Sequence, residues 1–223
     1  MPKTIVKIGP TDHGQAMSLD EFDEAEVQPG YVYELDRGII TVSDVPGGKH
    51  FAIVNEIRKQ LSRYDLTHPN TIFAIASGGE CKIPLIGFES ERHPDLAVYK
   101  TLLPGEGNIW SIWVPEIVIE VVSPESRHRD YEEKPDEYLQ FGVKEYWIID
   151  ADKGKVVVLK RNGGQWSEKT YKPPQVYKSR LLPGFEFSCK RIFSAAKAGG
   201  VKQRREGKRV NKNGAADGST APR

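Results

Sequence analysis

Cysteine is scarce in this chain. Only Cys81 and Cys189 occur among 223 residues, far apart and without a CxxC pattern. That excludes a disulfide framework and a cysteine-rich zinc site, and it suits a reducing compartment. Long apolar runs are missing too: no stretch approaches the ~18 consecutive apolar residues of a membrane span. The first ten residues, Met1 to Pro10, lack the apolar core of a signal peptide. A cytoplasmic protein with no membrane partner is expected.

Neither sign of charge dominates the whole chain, whose formal net charge is +1. The balance hides an asymmetry. From Ala195 to Arg223 eight basic residues stand against Glu206 and Asp217, a net of +6. The remainder has 24 basic and 29 acidic residues, a net of −5. The terminal stretch is rich in Gly, Ala and Asn and has too few large apolar groups to fold alone. It is read as a disordered basic tail, able to bind polyanions without sequence choice.

What is present is an ordinary globule. Hydrophobic residues make up 38% and charged residues 28% of the chain, enough to bury a real core in one large domain. The expected division is an N-terminal extension over 1–17, a domain over 18–194 and the basic tail over 195–223. Ser18 with Glu21 three positions on is a capping-box pattern for a short helix. Tyr31 to Glu34 and Gly38 to Val42 read as a hairpin around Asp36-Arg37. Phe51, Val54, Ile57, Leu61 and Tyr64 form one apolar stripe of a helix from about Lys49 to Tyr64.

Short strands come next at Thr71–Ala76, Asp95–Tyr99 and Glu116–Val122. A helix candidate over Asp130–Phe141 is closed by Gly142, and a strand spans Lys144–Asp150. Glycine-containing turns then join Val156–Leu159 to Gln165–Tyr171 as a hairpin. This order predicts an α/β (α+β) domain, a mixed sheet with helices against it.

Glu120 is the informative residue. The run Glu116 to Val122 is otherwise almost wholly β-branched, the pattern of a buried central strand. An ionised carboxylate there is costly unless a cation compensates it. Either Glu120 is a salt-bridged structural acid, or it points from the strand end into a site. Asp95 opens the preceding strand, and Lys134 comes 14 positions beyond Glu120. If the two strands are antiparallel neighbours, Asp95 lies beside Glu120. Two carboxylates suit magnesium, which keeps waters and borrows oxygens from a phosphate substrate. Glu116 is a poor second ligand, because four residues along a strand is roughly 13 Å. His50 and His128 have no partner legible in the sequence. Tyr138 and Trp147 are expected in the core. Arg127 and Arg129 read either as phosphate contacts or as a solvated loop.

A broader pattern joins these residues. It comprises Pro94-Asp95-Leu96-Ala97-Val98, Pro115 to Pro124, Asp130, Lys134, Tyr138, and Gly142 to Asp150. It resembles the Uma-two family of endonucleases, assigned to the PD-(D/E)XK, restriction-endonuclease-like superfamily. Tyr33-Glu34-Leu35 with Gly38 resembles that family's N-terminal hairpin, and Leu182-Pro183-Gly184-Phe185 its C-terminal closing motif. The resemblance spans roughly Ser18 to Phe193. It implies a restriction-endonuclease-like mixed β-sheet flanked by helices, with N-terminal and C-terminal hairpins.

It also implies an endodeoxyribonuclease using Mg2+ or Mn2+, held by Asp95 and Glu120. Lys134 would be the displaced catalytic lysine, since Val122 occupies the usual lysine place, and Glu34 an accessory acid. DNA is the implied partner, and a homodimer would cut both strands by symmetry. The alternative is a catalytically silent nucleic-acid-binding or interaction domain on the same fold. Pro135 bears on this choice, because proline disfavours helical angles in the residue before it. Either the helix begins at Pro135 as its first position, or Lys134 is displaced.

Overall fold

The structure is a computed structural model that describes residues 5–105 and 108–200. Its N-terminal part builds a small layer. Strand β1 (Lys7–Ile8) pairs in parallel with β2 (Glu26–Val27), and between them lies helix α1 (Leu19–Asp23). Ser18 caps α1 with the expected reciprocal bonds to Glu21. Ile8, Leu19 and Phe22 bury against β3 (Tyr31–Asp36) and β4 (Ile39–Asp44) through Tyr33, Leu35 and Ile40. The expected extension over 1–17 is therefore packed onto the domain from Ile8 onward; residues 1–4 lie outside the described residues.

Helix α2 (Gly48–Thr67) is longer than expected at its C-terminal end and has a different stripe. Ile53, Ile57, Leu61 and Tyr64 are buried, whereas Phe51 is 67% exposed. The apolar stripe passes through position 53, not 51, because 53, 57, 61 and 64 share one face at 3.6 residues per turn.

The chain then alternates between two sheets. Strands β5 (Ala74–Ala76) and β8 (Leu96–Tyr99) belong to the large sheet; β6 (Ile83–Leu85) and β7 (Ser90–Arg92) join β3 and β4 in a four-stranded antiparallel sheet, order β4-β3-β7-β6. After the short helix α3 (Ile109–Ile112) come β9 (Ile117–Val121), helix α4 (Lys134–Phe141), β10 (Glu145–Asp150), β11 (Lys155–Asn162) and β12 (Gln165–Tyr171). The large sheet runs β12-β11-β10-β9-β8-β5. Only β9 and β10 pair in parallel, the connection between them carrying α4; the other pairs are antiparallel. This is the expected mixed sheet.

Alternation along β9 sorts the two faces. Ile117, Ile119 and Val121 pack on α2, with Trp147 and Ile149 of β10. Val118 and Val122 face Tyr138 of α4, with Tyr146 and Ile148. A closing hairpin, β13 (Val176–Lys178) and β14 (Glu186–Ser188), leads into helix α5 (Cys189–Gly199). Cys189, Ile192, Phe193 and Ala196 seat α5 in the α2 side of the core. The helix thus crosses the boundary expected at 194; residues 201–223 of the expected tail lie outside the described residues. Both cysteines are free and buried, and no helix among the described residues is long and apolar enough to cross a membrane.

Candidate active site

The site lies where β8, β9 and α4 meet. The β8–β9 register pairs Leu96 with Ile119, so Asp95, one residue before β8, stands across from Glu120. The two acids are stitched together. The Asp95 N–H donates to Glu120 Oε2 (3.3 Å), and the Val121 N–H donates to Asp95 Oδ2 (2.7 Å). The antiparallel neighbourhood expected for these residues is present.

Lys134 reaches the same place. Its Nζ lies 2.9 Å from Glu120 Oε1, 3.1 Å from Asp130 Oδ1 and 3.9 Å from Glu34 Oε1. The Tyr138 hydroxyl donates to Glu120 Oε1 at 2.7 Å. Asp130, Lys134 and Tyr138 recur every four residues, which is how a helix aims several side chains at one point.

Pro135 produces neither expected outcome. The helix does not begin at Pro135, and Lys134 is not swung away. Lys134 is the first residue of α4, with helical angles (φ −57°, ψ −33°), and Pro135 is the second. The turn before it, Arg129–Glu133, is a π-turn, with the Lys134 N–H bonded to the Arg129 carbonyl. An interior proline lacks an N–H and crowds the carbonyl four residues back. A π-turn widens the ladder there, a geometry often found at functional sites.

Glu34 comes from β3. It accepts the His93 N–H at 3.2 Å and lies 3.9 Å from Arg92 Nη1. Arg92 is fully buried and makes a two-point pair with Glu137 of α4, Nε–Oε2 and Nη2–Oε1 both at 2.8 Å, plus Asp36 at 2.7 Å. This arginine fastens α4 to the small sheet and so fixes where Lys134 can stand.

Sequence reading missed several members of the cluster. His50, in the first turn of α2, has its Nε2 3.0 Å from Asp95 Oδ2, so it does have a partner. Arg92 and Glu137 carried no signal, because ion pairs between distant segments leave no local pattern. Asp130 had one, its four-residue spacing from Lys134. Arg127 pairs with Asp150 at 2.5 Å, and His128 is exposed beside Glu133. Tyr138 and Trp147 are core residues as expected. Glu116 serves elsewhere, accepting the Lys100 N–H at 2.7 Å.

Burial grades the cluster. The Glu120 and Lys134 side chains are each 5% exposed, whereas His50 and Asp95 are 19% and 21% exposed. The site therefore opens on the Asp95 and His50 side. Burial raises the Glu120 carboxyl far above the usual range; Lys134 pulls it down, while Asp95, Asp130 and Glu34 push it further up. For Lys134 desolvation favours the neutral amine, but Glu120, Glu34 and Asp130 outweigh it and hold the ammonium charged. Glu34 is also desolvated, yet Lys134 and Arg92 keep its carboxyl low. His50 is raised: burial lowers it, and the Asp95 hydrogen bond overcomes that.

The family model described as "Uma2: Putative restriction endonuclease" matches residues 19–190. This chain belongs to the Uma2 family. That membership supports nuclease function. The fold is similar to that of a protein from Anabaena variabilis titled "a putative nuclease belonging to DUF820", at a TM-score of 0.67 and 23% identity over 81% of this chain and 99% of that one. At that identity the likeness establishes the shared fold. No curated protein sequence matches this Uma2 chain at a significant level.

Proposed function

We propose that this Uma2 protein is an endonuclease that hydrolyses phosphodiester bonds in DNA with Mg2+ or Mn2+. One observation carries the reading: Asp95 stands across from Glu120 on paired strands, its N–H bonded to Glu120 Oε2 and its charge acting on the Glu120 carboxyl, with the Lys134 ammonium 2.9 Å from Glu120.

The donor set fits a divalent cation. Among the described residues no three His, Cys, Asp or Glu side chains form a ready-made cage. Magnesium does not require one, since it is held through one or two carboxylates, waters and substrate phosphate. The charge pattern fits as well. Glu34, Glu120 and Asp130 gather around one ammonium, and the charges of Asp95, Asp130 and Glu34 help raise the Glu120 carboxyl. Asp95 and Glu120 would hold the cation, which when bound lowers the pKa of a water and offsets charge on a phosphoryl oxygen.

The chain's own residues have distinct tasks. Lys134, held as a cation, is no general base; it orients the attacking water and offsets the negative charge on the phosphoryl oxygens of the pentacoordinate transition state. Tyr138 and the Asp95 N–H fix the rotamer of Glu120. His50 and the Val121 N–H fix Asp95. Glu34 and Asp130 hold Lys134 in place. Two copies of the protein, acting in the cytoplasm, would cut one strand each.

The test is cleavage of duplex DNA by purified protein with Mg2+, compared with Glu120→Gln, which keeps size and the capacity to accept from Lys134. Loss of at least about a hundredfold in rate is expected, since catalytic groups of this kind contribute roughly 10² to 10³. Undiminished cleavage by the variant would remove Glu120 from the chemistry. Salt-sensitive DNA binding with no cleavage by either protein would support the silent-domain alternative instead.

A further inference from the structure

A cationic cleft opens at the other end of the central strands from the candidate site. Glu145, the first residue of β10, pairs with Ile117, whereas Glu120 pairs with Ile148. Three residues along a strand is roughly 10 Å. The cleft at the Glu145 end has a volume of about 720 Å³, within the ~300–1,000 Å³ of small-molecule sites. Four basic residues line it: Lys144, Lys160, Arg161 and Arg180. They come from the turn before β10, the end of β11 and the loop after β13, so only the fold brings them together.

The loop that carries Arg180 is pinned on both sides of it. Glu145 is buried and accepts the Ser179 hydroxyl at 3.0 Å and the Trp147 Nε1–H at 2.9 Å. The Leu181 N–H donates to Ser179 Oγ at 3.1 Å, and the Leu181 carbonyl accepts from Lys100 Nζ at 2.5 Å. Arg180 stands between these two tethered residues and is itself exposed.

The charges of the cleft are not spent inside the protein. Among the described residues the Arg180 guanidinium makes no hydrogen bond or ion pair. The Lys160 ammonium lies 4.8 Å from the centre of the Tyr177 ring and has no carboxylate partner among those residues. Arg161 donates to the Leu139 carbonyl, an uncharged group. Lys144 lies 3.4 Å from Glu116 and stays 54% exposed. Elsewhere Lys49, Arg58, Lys178 and Arg191 each face a carboxylate. Glu145 is the single acid of the lining, so the cleft carries 4 − 1 = +3. The body around it is negative: residues 1–200 hold 25 basic against 29 acidic residues, a net of −4.

Like charges gathered in a hollow repel one another until an anion joins them. A duplex backbone is met by cations clustered on one face or set along a helix; these four converge on one cleft instead. We propose that this cleft binds a small molecule carrying two or more linked phosphates, at a site separate from Asp95 and Glu120. The guanidinium forks of Arg161 and Arg180 match paired phosphate oxygens, and Lys144 and Lys160 act as point charges. The proposal holds whether or not the protein cuts DNA.

The experiment is calorimetric titration of the full chain with inorganic tripolyphosphate in metal-free buffer, where no cation at the acidic site can draw phosphate. Saturable binding of one equivalent is expected. A variant carrying Lys160→Gln and Arg180→Gln should bind at least about tenfold more weakly, since one lost hydrogen bond to a charged group costs about that factor. Arg180→Gln alone, at a side chain with no bond to lose, should keep the melting temperature and still weaken binding. Glu120→Gln should bind as the wild type does. So should a variant carrying Arg204→Gln, Arg205→Gln, Lys208→Gln and Arg209→Gln, which removes the other cluster of basic residues.

ATP and adenosine distinguish the sources of the phosphates. ATP binding as tripolyphosphate does would mean that phosphate alone is read; tighter binding by ATP, with none by adenosine, would mean a nucleotide. Either supports the site. No saturable binding by the wild type, or equal affinity for the cleft variant, would overturn it. Loss of binding in the 204–209 variant alone would overturn it as well. So would a short DNA duplex that depends on Lys160 and Arg180 and is not displaced by tripolyphosphate, because the cleft would then be a DNA surface.

Discussion

At the scale of single residues, Glu120 is the group whose state matters most. Burial and three neighbouring carboxylates raise its carboxyl despite Lys134. A glutamate in the unfolded chain ionises near about 4.3. Below that value both states hold the proton, and the contribution to stability is fully present. It is lost as pH rises through the raised native value. In EDTA the melting temperature should therefore fall as pH rises through that value. His50 is raised too and adds a loss of the same sign. The comparison with Glu120→Gln separates the two: the variant should lose less stability on the alkaline side. Added Mn2+ should restore the wild type there and not the variant. A melting curve for the wild type that is flat across this range, with and without Mn2+, would contradict the assignment. Lys134 makes a second prediction. Lys134→Met leaves Glu120, Asp130 and Glu34 facing one another in a buried place, so unfolding should become easier by about 3–5 kcal/mol, the usual cost of stranding one side of a buried pair. Denaturant titration reads this, and it requires no activity.

At the scale of elements, α4 is the piece that builds the site. Arg92 ties it to β7 by a fully buried two-point pair with Glu137. Arg92→Ala should cost about 3–5 kcal/mol and lower cleavage as well, because α4 carries Lys134 and Tyr138. The far end of α4 is closed by Gly142 at φ 108°, a conformation L side chains rarely adopt. A Cβ there would lie 3.5 Å from Val114 Cγ1, an ordinary contact. Gly142→Ala should then cost about 1–2 kcal/mol from the backbone alone, measurable as a lower midpoint with unchanged m-value.

Much of this was readable in the residues. The Ser18–Glu21 cap, the β-branched run around Glu120, the Gly142 stop and the Tyr146–Ile149 strand each arise from local chemistry. The π-turn at Arg129–Glu133 was not readable, because it resolves a conflict between Pro135 and a tertiary demand on Lys134. Strands β6 and β7 were missed for a related reason. Pro84 lies within β6, and β7 is Ser90-Glu91-Arg92, where the buried Arg92 looks like surface until its partner Glu137, 45 residues away, is known.

At the scale of the whole molecule, two sheets converge on one ammonium group. The large sheet supplies Glu120, with Asp95 at the edge of β8; the small sheet supplies Glu34 and Arg92; α4 and its preceding turn supply Lys134 and Asp130. A site assembled this way exists only when both sheets are docked, which is why sequence distance could not reveal His50 or Arg92 as members. Asp95 and Glu120 were the exception, since strand polarity alone makes them neighbours. The most direct measurement is anomalous diffraction at the manganese edge from crystals of the wild-type protein soaked in Mn2+. A peak between the Asp95 and Glu120 carboxylates, with the Lys134 ammonium still beside Glu120, is the predicted result; density that shows manganese bound elsewhere, or no peak between those two acids, would contradict it.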